Sequence, residues 1–564
     1  VILRTASAVS LAGGLVLATA CSDGGSRPAA TPAPVVEPSA GTTIEGDGIT
    51  VRVEPGPHSV LTAVVTVTAD HPVRPRLTAR AEGHRVDVPP PPRARRQVVL
   101  ALVGLRATTA YDLALRGDPA LAGVEATFST GSLPPDLPPV QTRVDGAPRP
   151  GVTLFNATPD RLSVEHPGNL LAVDEAGEVV WYHQDEQVIS DARQLPNGHV
   201  LFNFGNIGAR EIDVLGNLVH DWTTDTRVRV GPTDRFGHAT YAPGATVVTT
   251  PRLHHEVAAP LPNGNFLALS QEVRTFGGFD DPGCPPGPLD DPTVRPQRGD
   301  VVVEYTPEGE VVHRISLLDA IDPRDQPGSQ QCNLKTDEIA NGAEVFVDWS
   351  HANAATVFED ANVVLVSARN LSSLIALRWE ADGDGPAGEV LWQLGPGLDF
   401  ELTDGEWFYR QHAPEVQPDG SILVYDNGSQ RPPAREGKVS RPFSRAVRYE
   451  LDRSGPRRTW TARQVWEHRL AGPDGPVYAD FLGDADALPG GHVLITHGAI
   501  VDPESRLNSA LIVEVDRATG AVLLRIEVAG PGAVAGWRTY RAEHLDSWYP
   551  GPGAIPLEGD PPLP

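Results

Sequence analysis

The chain has 564 residues, 40% of them hydrophobic, with 56 glycines, 55 prolines and a formal charge of -27. That length allows a large core and more than one domain, and so much Gly and Pro argues for many turns and few long helices. The acidic balance excludes a nucleic-acid partner, because a phosphate backbone requires a basic surface. All 46 basic residues except Lys335 and Lys438 are arginines, so any anion site has to be a local concentration of Arg and His.

Residues 1–26, VILRTASAVSLAGGLVLATACSDGGS, read as an export signal: Arg4 supplies the positive start, and Leu11 to Ala20 an apolar stretch too short for a stable membrane span. ATAC allows two processings: ordinary cleavage around residue 21, or cleavage with lipidation of Cys21 as in bacterial lipoproteins. The flexible tether over 22–42 favours the second. The expected location is therefore the cell envelope or periplasm, with the membrane reached only through that lipid. Cys284 and Cys332 lie in Gly/Pro-rich sequence (276–334), where export permits a disulfide that clips a long insertion. Two cysteines without a C-x-x-C do not by themselves make a zinc site, and no metal or cofactor is expected.

Residues 43–131 alternate apolar and polar positions, as in TAVVTVTAD and TAYDLALRG, which predicts about seven short strands in a small β-sandwich. LRATTAYDLAL followed by ATFSTG resembles the last strands of a fibronectin-type-III module, with Tyr111 where a corner tyrosine sits. Residues 132–144 form a proline-rich linker. From 145 to the end two patterns alternate. One is an apolar strand with a Pro/Asn/Gly turn, as in LPNGHVLFN (195), LPNGNFLAL (261), FEDANVVLVSAR (358), QPDGSILVYDNG (417) and LPGGHVLITHG (488). The other is a hairpin, as in VVVEYTPEGEVVHRI (301), and it occurs six times. Six four-stranded units of this kind predict an all-β domain, a six-bladed β-propeller following the sandwich.

In a radial fold, equivalent positions of different blades converge on the axis. Three inner-strand units are preceded by histidine: RLHHEVAAPLPNGN (His254, His255), DWSHANAATVFEDAN (His351) and YRQHAPEVQPDGS (His412). ISDARQLPNGH and FLGDADALPGGH carry none there. Arg369, at the end of the strand that opens FEDANVVLV or in the turn after it, can reach the same mouth.

DWSHANAATVFEDANVVLVSARNLSSLIAL, WQLG, QHAPEVQPDGSILVYDNG, SRAVRYELD, VWEH and, near the end, YRAEHLDSWYP together resemble the bacterial arylsulfate sulfotransferase family over most of 135–550. The resemblance implies an envelope enzyme that moves a sulfuryl group from an aryl sulfate to a phenol without a nucleotide donor. It implies that His412 is the nucleophile that becomes transiently sulfated, with His351, Arg369 and one of His254 and His255 beside it. Counting back from the Pro-Asn-Gly turn favours His255, with His254 the competitor. The chemistry suits these residues. A sulfate monoester reacts through a loose transition state with charge on its peripheral oxygens. A neutral imidazole is a competent nucleophile, and Arg holds two oxygens without losing its proton. A second imidazole, His255 or His351, can move the phenol proton, worth about 10²–10⁴ in rate. Trp349, Trp407 and Tyr409, close to the histidines in sequence, are candidate aromatic contacts for substrate.

Each feature also has a plainer reading. A lone His bonds a loop carbonyl more often than it reacts, and aromatic residues in such a fold mostly pack. Arg378 and Arg445 read as solvated strand ends, and EADGDGPAGE (380–389) as a hairpin turn rather than a calcium loop. Glu256 beside His255 leaves a metal-dependent site open. The other functional classes are an aryl sulfate hydrolase using the same site and a non-catalytic ligand-binding propeller. The usual sulfatase signature is absent: CPPGP at Cys284 lacks the Arg, and SRPFSR at Ser440 places it one residue late.

Overall fold

A computed structural model describes residues 35–46, 48–160, 168–224, 244–257, 260–279, 291, 293–328, 333–339, 342–432, 442–472, 475–529 and 535–551. Cys21, Cys284 and Cys332, and with them the lipidation and disulfide expectations, lie outside the described residues. The protein is all-β: among the described residues the one α-helix is the four-residue turn Leu317–Ala320.

Between residues 42 and 129, two antiparallel sheets of four strands each share one apolar core. The alternation seen in the sequence is the reason: Val51, Val53, Val65 and Val67 from one sheet meet Leu77, Ala79, Leu113 and Phe128 from the other. Tyr111 is buried in this core, and its hydroxyl accepts from Arg106 N at 2.9 Å, the bond a corner tyrosine makes. Arg106 then pairs with Asp174 (2.7 Å), and Tyr549 donates to Ala101 O (2.8 Å), so this core is tied to the sheets C-terminal to it.

Six mainly antiparallel sheet units come next in succession among the described residues, three of them with one added parallel strand pair. Their first strands are Ile189–Gln194, His254–Val257, Ala352–Phe358, His412–Val416, Asp484–Leu488 and Ala542–Leu545. The last of these, near the end of the chain, pairs with Val152–Pro159, the start of the earliest sheet. In return, Val140–Val144 adds to the outer strand of the sheet that Asp484–Leu488 begins. Each first strand packs against the first strand of the next unit, and Ala542–Leu545 packs against Ile189–Gln194, so the succession closes on itself.

Two expectations change. FEDANVVLVSAR spans the hairpin turn and the second strand of its unit (Val363–Ala368), while the histidine-bearing segment before it is the first strand. The turn is the physical reason, since a tight turn needs a strand on both sides. Arg445 is not a solvated strand end. Its guanidinium is fully buried, pairs with Asp426 (2.9 Å) and Glu467, and donates to Glu406 O (2.8 Å). Arg378 clamps the 382–389 turn through Asp382 (2.8 Å) and Glu389 (3.0 Å), which makes EADGDGPAGE a braced hairpin.

Candidate active site

The site starts from hairpin arithmetic. Ala352 pairs with Ala368 across the strand pair that turns at 359–362, so Arg369 returns beside His351 and its N–H donates to His351 O (3.2 Å). The same arithmetic pairs His412 with Tyr425 and brings Asn427 back to the histidine. Each of the three histidine-bearing strands carries a register shift at its start, between His254 and Val257, Ala352 and Ala354, and His412 and Glu415. Positive φ accompanies each, at His255 (58°), His351 (49°) and Ala413 (46°). A bulge re-aims a side chain, and a non-glycine residue in this region costs on the order of 1 kcal/mol or more. Ile189–Gln194 also carries a register shift at its start, but positive φ accompanies the shift only in the three units that bring a histidine.

The bulges bring the imidazoles together. The rings of His255 and His351 are 5.2 Å apart, and Tyr540 lies edge-on to both His255 (5.7 Å) and His412 (6.3 Å). The Nδ1 partners assign the tautomers. Asn427 directs its amide N–H groups to Ala479 O (2.9 Å) and Leu482 O (2.7 Å), leaving only its carbonyl oxygen to face His412 Nδ1 (2.6 Å). His412 is therefore protonated at Nδ1 and carries its lone pair on Nε2. His351 Nδ1 donates to Asp348 Oδ2 at 2.6 Å, so the carboxylate holds the hydrogen of that nitrogen and leaves Nε2 as the exchangeable one. His254 Nε2 faces two acceptors, Ser270 O (3.1 Å) and Asp300 Oδ1 (3.3 Å). With its Nε2 hydrogen directed at those acceptors, His254 Nδ1 is placed to accept from His255 Nδ1–H (2.7 Å), which leaves His255 Nε2 toward the site. So His255 faces the site, and His254, buried behind it, fixes its orientation.

The electrostatics follow from burial. Burial, then the charge of Arg369, holds His412 well below the usual imidazole range, against the bond to Asn427. Burial and the other three imidazoles do the same to His255. Both rings are neutral near pH 7, the form that is nucleophilic. Arg369 is pushed down to about 10 by burial and by Arg410, and still carries its charge. Its guanidinium donates to Asn370 Oδ1 (3.3 Å) and Asp480 O (3.1 Å), while the buried Nε has no partner among the described residues. A planar donor with unused hydrogens beside a neutral imidazole can hold a tetrahedral oxyanion against a nucleophile.

The aromatic candidates have partners of their own. Trp349 is buried in a core and donates to Gln326 O (2.8 Å). Trp407 packs on Tyr449 (5.7 Å), and Tyr409, half-buried, lies under the Arg431 guanidinium (5.4 Å). The ring at the imidazoles is Tyr540, which the sequence pattern did not single out, and Asp348, Asn427 and Arg410 were missed with it. Hairpin arithmetic, applied to Asn427 as to Arg369, was the signal available. Glu256, raised as a metal-ligand candidate, accepts from Arg193 (2.6 Å) and Arg541 (2.9 Å).

Farther along the same first strands is a cavity of about 360 Å³ lined by the carboxyl groups of Asp191, Glu256, Glu415, Asp484, Asp486 and Glu543 and by Arg193 and Arg541. Burial pushes Asp484 and Glu543 up to about 7, and burial with the Asp484 charge pushes Asp486 well above its usual range.

What the imidazoles and Arg369 form together is a pocket with the chemistry to hold an oxyanion beside a neutral imidazole nitrogen. The chain belongs to the arylsulfotransferase (ASST) family, whose model matches residues 140–538. No curated protein matches it. Among solved structures it is similar to a protein of unknown function from Bacteroides caccae (14% identity, covering 70% of this chain and 98% of that one, TM-score 0.34). It is also similar to the periplasmic gluconolactonase PpgL of Pseudomonas aeruginosa (12%, 69% and 99%, TM-score 0.30) and to BamB from Moraxella catarrhalis (11%, 71% and 96%, TM-score 0.24).

Proposed function

We propose that this protein is an aryl-sulfate sulfotransferase that works by a ping-pong mechanism through a sulfated His412. In the first half-reaction His412 Nε2 attacks the sulfur of an aryl sulfate. The N–S bond forms, the S–O bond to the phenol breaks, and a neighbouring imidazolium gives its proton to the departing oxygen. Arg369 holds the peripheral oxygens throughout. In the second half a phenolic acceptor loses its proton to that imidazole, its oxygen attacks sulfur, the N–S bond breaks, and His412 is regenerated. Histidines gathered at three strained bulges beside one guanidinium are the observation that carries this reading, and family membership supports it.

The architecture reads as six blades of a β-propeller behind a two-sheet sandwich, since the succession of sheets closes and the two earlier sheets share their own core. The first 26 residues favour export to the cell envelope, with Cys21 as lipid attachment point, and Cys284–Cys332 as a disulfide formed there. The substrates are small aryl sulfates and phenols.

A chromogenic aryl sulfate assay tests the activity. Phenol release that depends on an added phenol is expected; release without one would mean a hydrolase, and binding without release a non-catalytic module. Intact-mass measurement after brief exposure to donor is expected to show a labile sulfuryl adduct, absent in His412→Ala. That variant should lose on the order of 10⁴-fold or more in turnover; retained turnover would displace His412 as nucleophile.

A further inference from the structure

The three imidazoles of the pocket are alike, yet the group at the back of each ring differs. Behind His351 is Asp348, a carboxylate 2.6 Å from Nδ1. Behind His412 is the neutral amide of Asn427, also at 2.6 Å. Behind His255 is the imidazole of His254 at 2.7 Å. We infer that this difference divides the labour: Asp348 makes His351 the proton carrier of the reaction, and Asn427 keeps His412 the nucleophile.

A second proton on an imidazole makes it a cation, which an anion at Nδ1 stabilises and a neutral partner does not. Asp348 is that anion. It is buried, and it stays ionised because His351, Arg298 (3.0 Å) and Lys335 (3.0 Å) outweigh the burial that acts to raise it. Asn427 has both amide hydrogens committed to Ala479 O and Leu482 O, so it offers His412 no charge. Arg369 further opposes a proton there. His255, backed by His254, has no carboxylate at Nδ1. Of the three rings, His351 is the one equipped to hold a proton on Nε2 at the site.

The inference rests on the sulfuryl-transfer reading and closes its proton balance. As the His412–S bond forms and the S–O bond breaks, the proton on His351 Nε2 passes to the departing phenolate. In the second half His351 takes the acceptor's proton as the new S–O bond forms and the N–S bond breaks, which returns both rings to their starting states. Asp348 and Asn427 are positioning residues, because they act through the histidines.

The test is a leaving-group series on the full chain, from 4-nitrophenyl sulfate, whose phenolate leaves unaided, to phenyl sulfate, whose phenolate needs a proton. Asp348→Asn should slow phenyl sulfate on the order of 10²–10³-fold and 4-nitrophenyl sulfate by about 10-fold or less, steepening the dependence on leaving-group acidity. An equal loss with both donors would mean a merely structural Asp348 and overturn the assignment, as would no loss at all. If Asp348→Asn does not fold, His351→Gln should steepen the series while His255→Gln leaves its slope unchanged; the reverse pattern overturns the assignment. Asn427→Asp should slow adduct formation at pH 7 and recover part of it as pH rises, because the new carboxylate lets His412 take up a proton. Adduct formation unaffected by that change would overturn the role of Asn427. Failure of the unaltered protein to form any adduct would instead defeat the underlying sulfuryl-transfer reading.

Discussion

The imidazole pocket and the carboxylate-lined cavity are built on the same first strands, a few residues apart, and both keep ionisable groups from water. Burial drives both clusters toward their neutral forms, with opposite chemical results. An imidazole that loses its proton gains a nucleophilic lone pair, as His412 and His255 do. A carboxyl group that gains a proton loses its charge and much of its capacity to bind or react, as Asp484 and Glu543 do. The guanidinium groups also differ in their partners: Arg369 donates to a side-chain amide oxygen and a backbone carbonyl, of Asn370 and Asp480. In the cavity, Arg193 and Arg541 pair with Asp191 and Glu256. What sets the pocket apart is a guanidinium bonded to neutral acceptors beside a neutral ring, and not charge density.

Substitutions on either side sharpen this contrast. After His412→Ala, the largest effect is expected from Arg369→Lys, which keeps the charge but loses the planar fork. Turnover of aryl sulfate should fall on the order of 10²-fold, with the adduct still detectable by mass but slower to form. Full activity in Arg369→Lys would mean that charge alone suffices.

The cavity should instead govern stability. Asp484 and Glu543 have folded pKa values of about 7, above the ordinary carboxyl range. A group raised in this way contributes stability that is present at low pH and lost as pH rises through its folded value. Urea midpoints should therefore fall as pH rises from about 4, the ordinary carboxyl value, to about 7 and level off above it, and Asp484→Asn should flatten that fall, gaining on the order of 2 kcal/mol at pH 8 relative to the unaltered chain. A steeper fall in Asp484→Asn would show that the carboxyl group is ionised and useful there.

The smallest change is expected from Trp407→Phe. Its ring packs on Phe408 and Tyr449 against an apolar core, so kcat/KM for aryl sulfates should change by about 3-fold or less, with a stability loss of about 1–2 kcal/mol. A selective rise in KM would restore Trp407 to the substrate pocket.

Much of this was legible in the sequence. Alternating apolar residues announce strands because side chains of a strand point to opposite faces in turn, and the Pro-Asn-Gly turns mark where strands reverse. The recurrence of histidine before three such turns singled out His351 and His412. Other features depend on groups distant in the chain. Whether His254 or His255 faces the pocket turned on Ser270 and Asp300, which occupy one of the two rings from behind. Arg445 looked like a strand end, and its burial depends on Asp426, Glu467 and the Glu406 carbonyl reaching it from other segments. Tyr540 comes near the imidazoles only because the chain's late strand pairs with the earliest sheet.

By itself the sequence determined the all-β class, the strand and turn positions, and the residue types from which an oxyanion site is made, since these follow from local periodicity and side-chain chemistry. Only the tertiary structure decided which nitrogen of each imidazole is free and which carboxyl groups hold protons. Those properties are set by what lies within hydrogen-bonding distance of an atom and by how much water is kept out, and both arise when strands far apart in the chain are packed side by side.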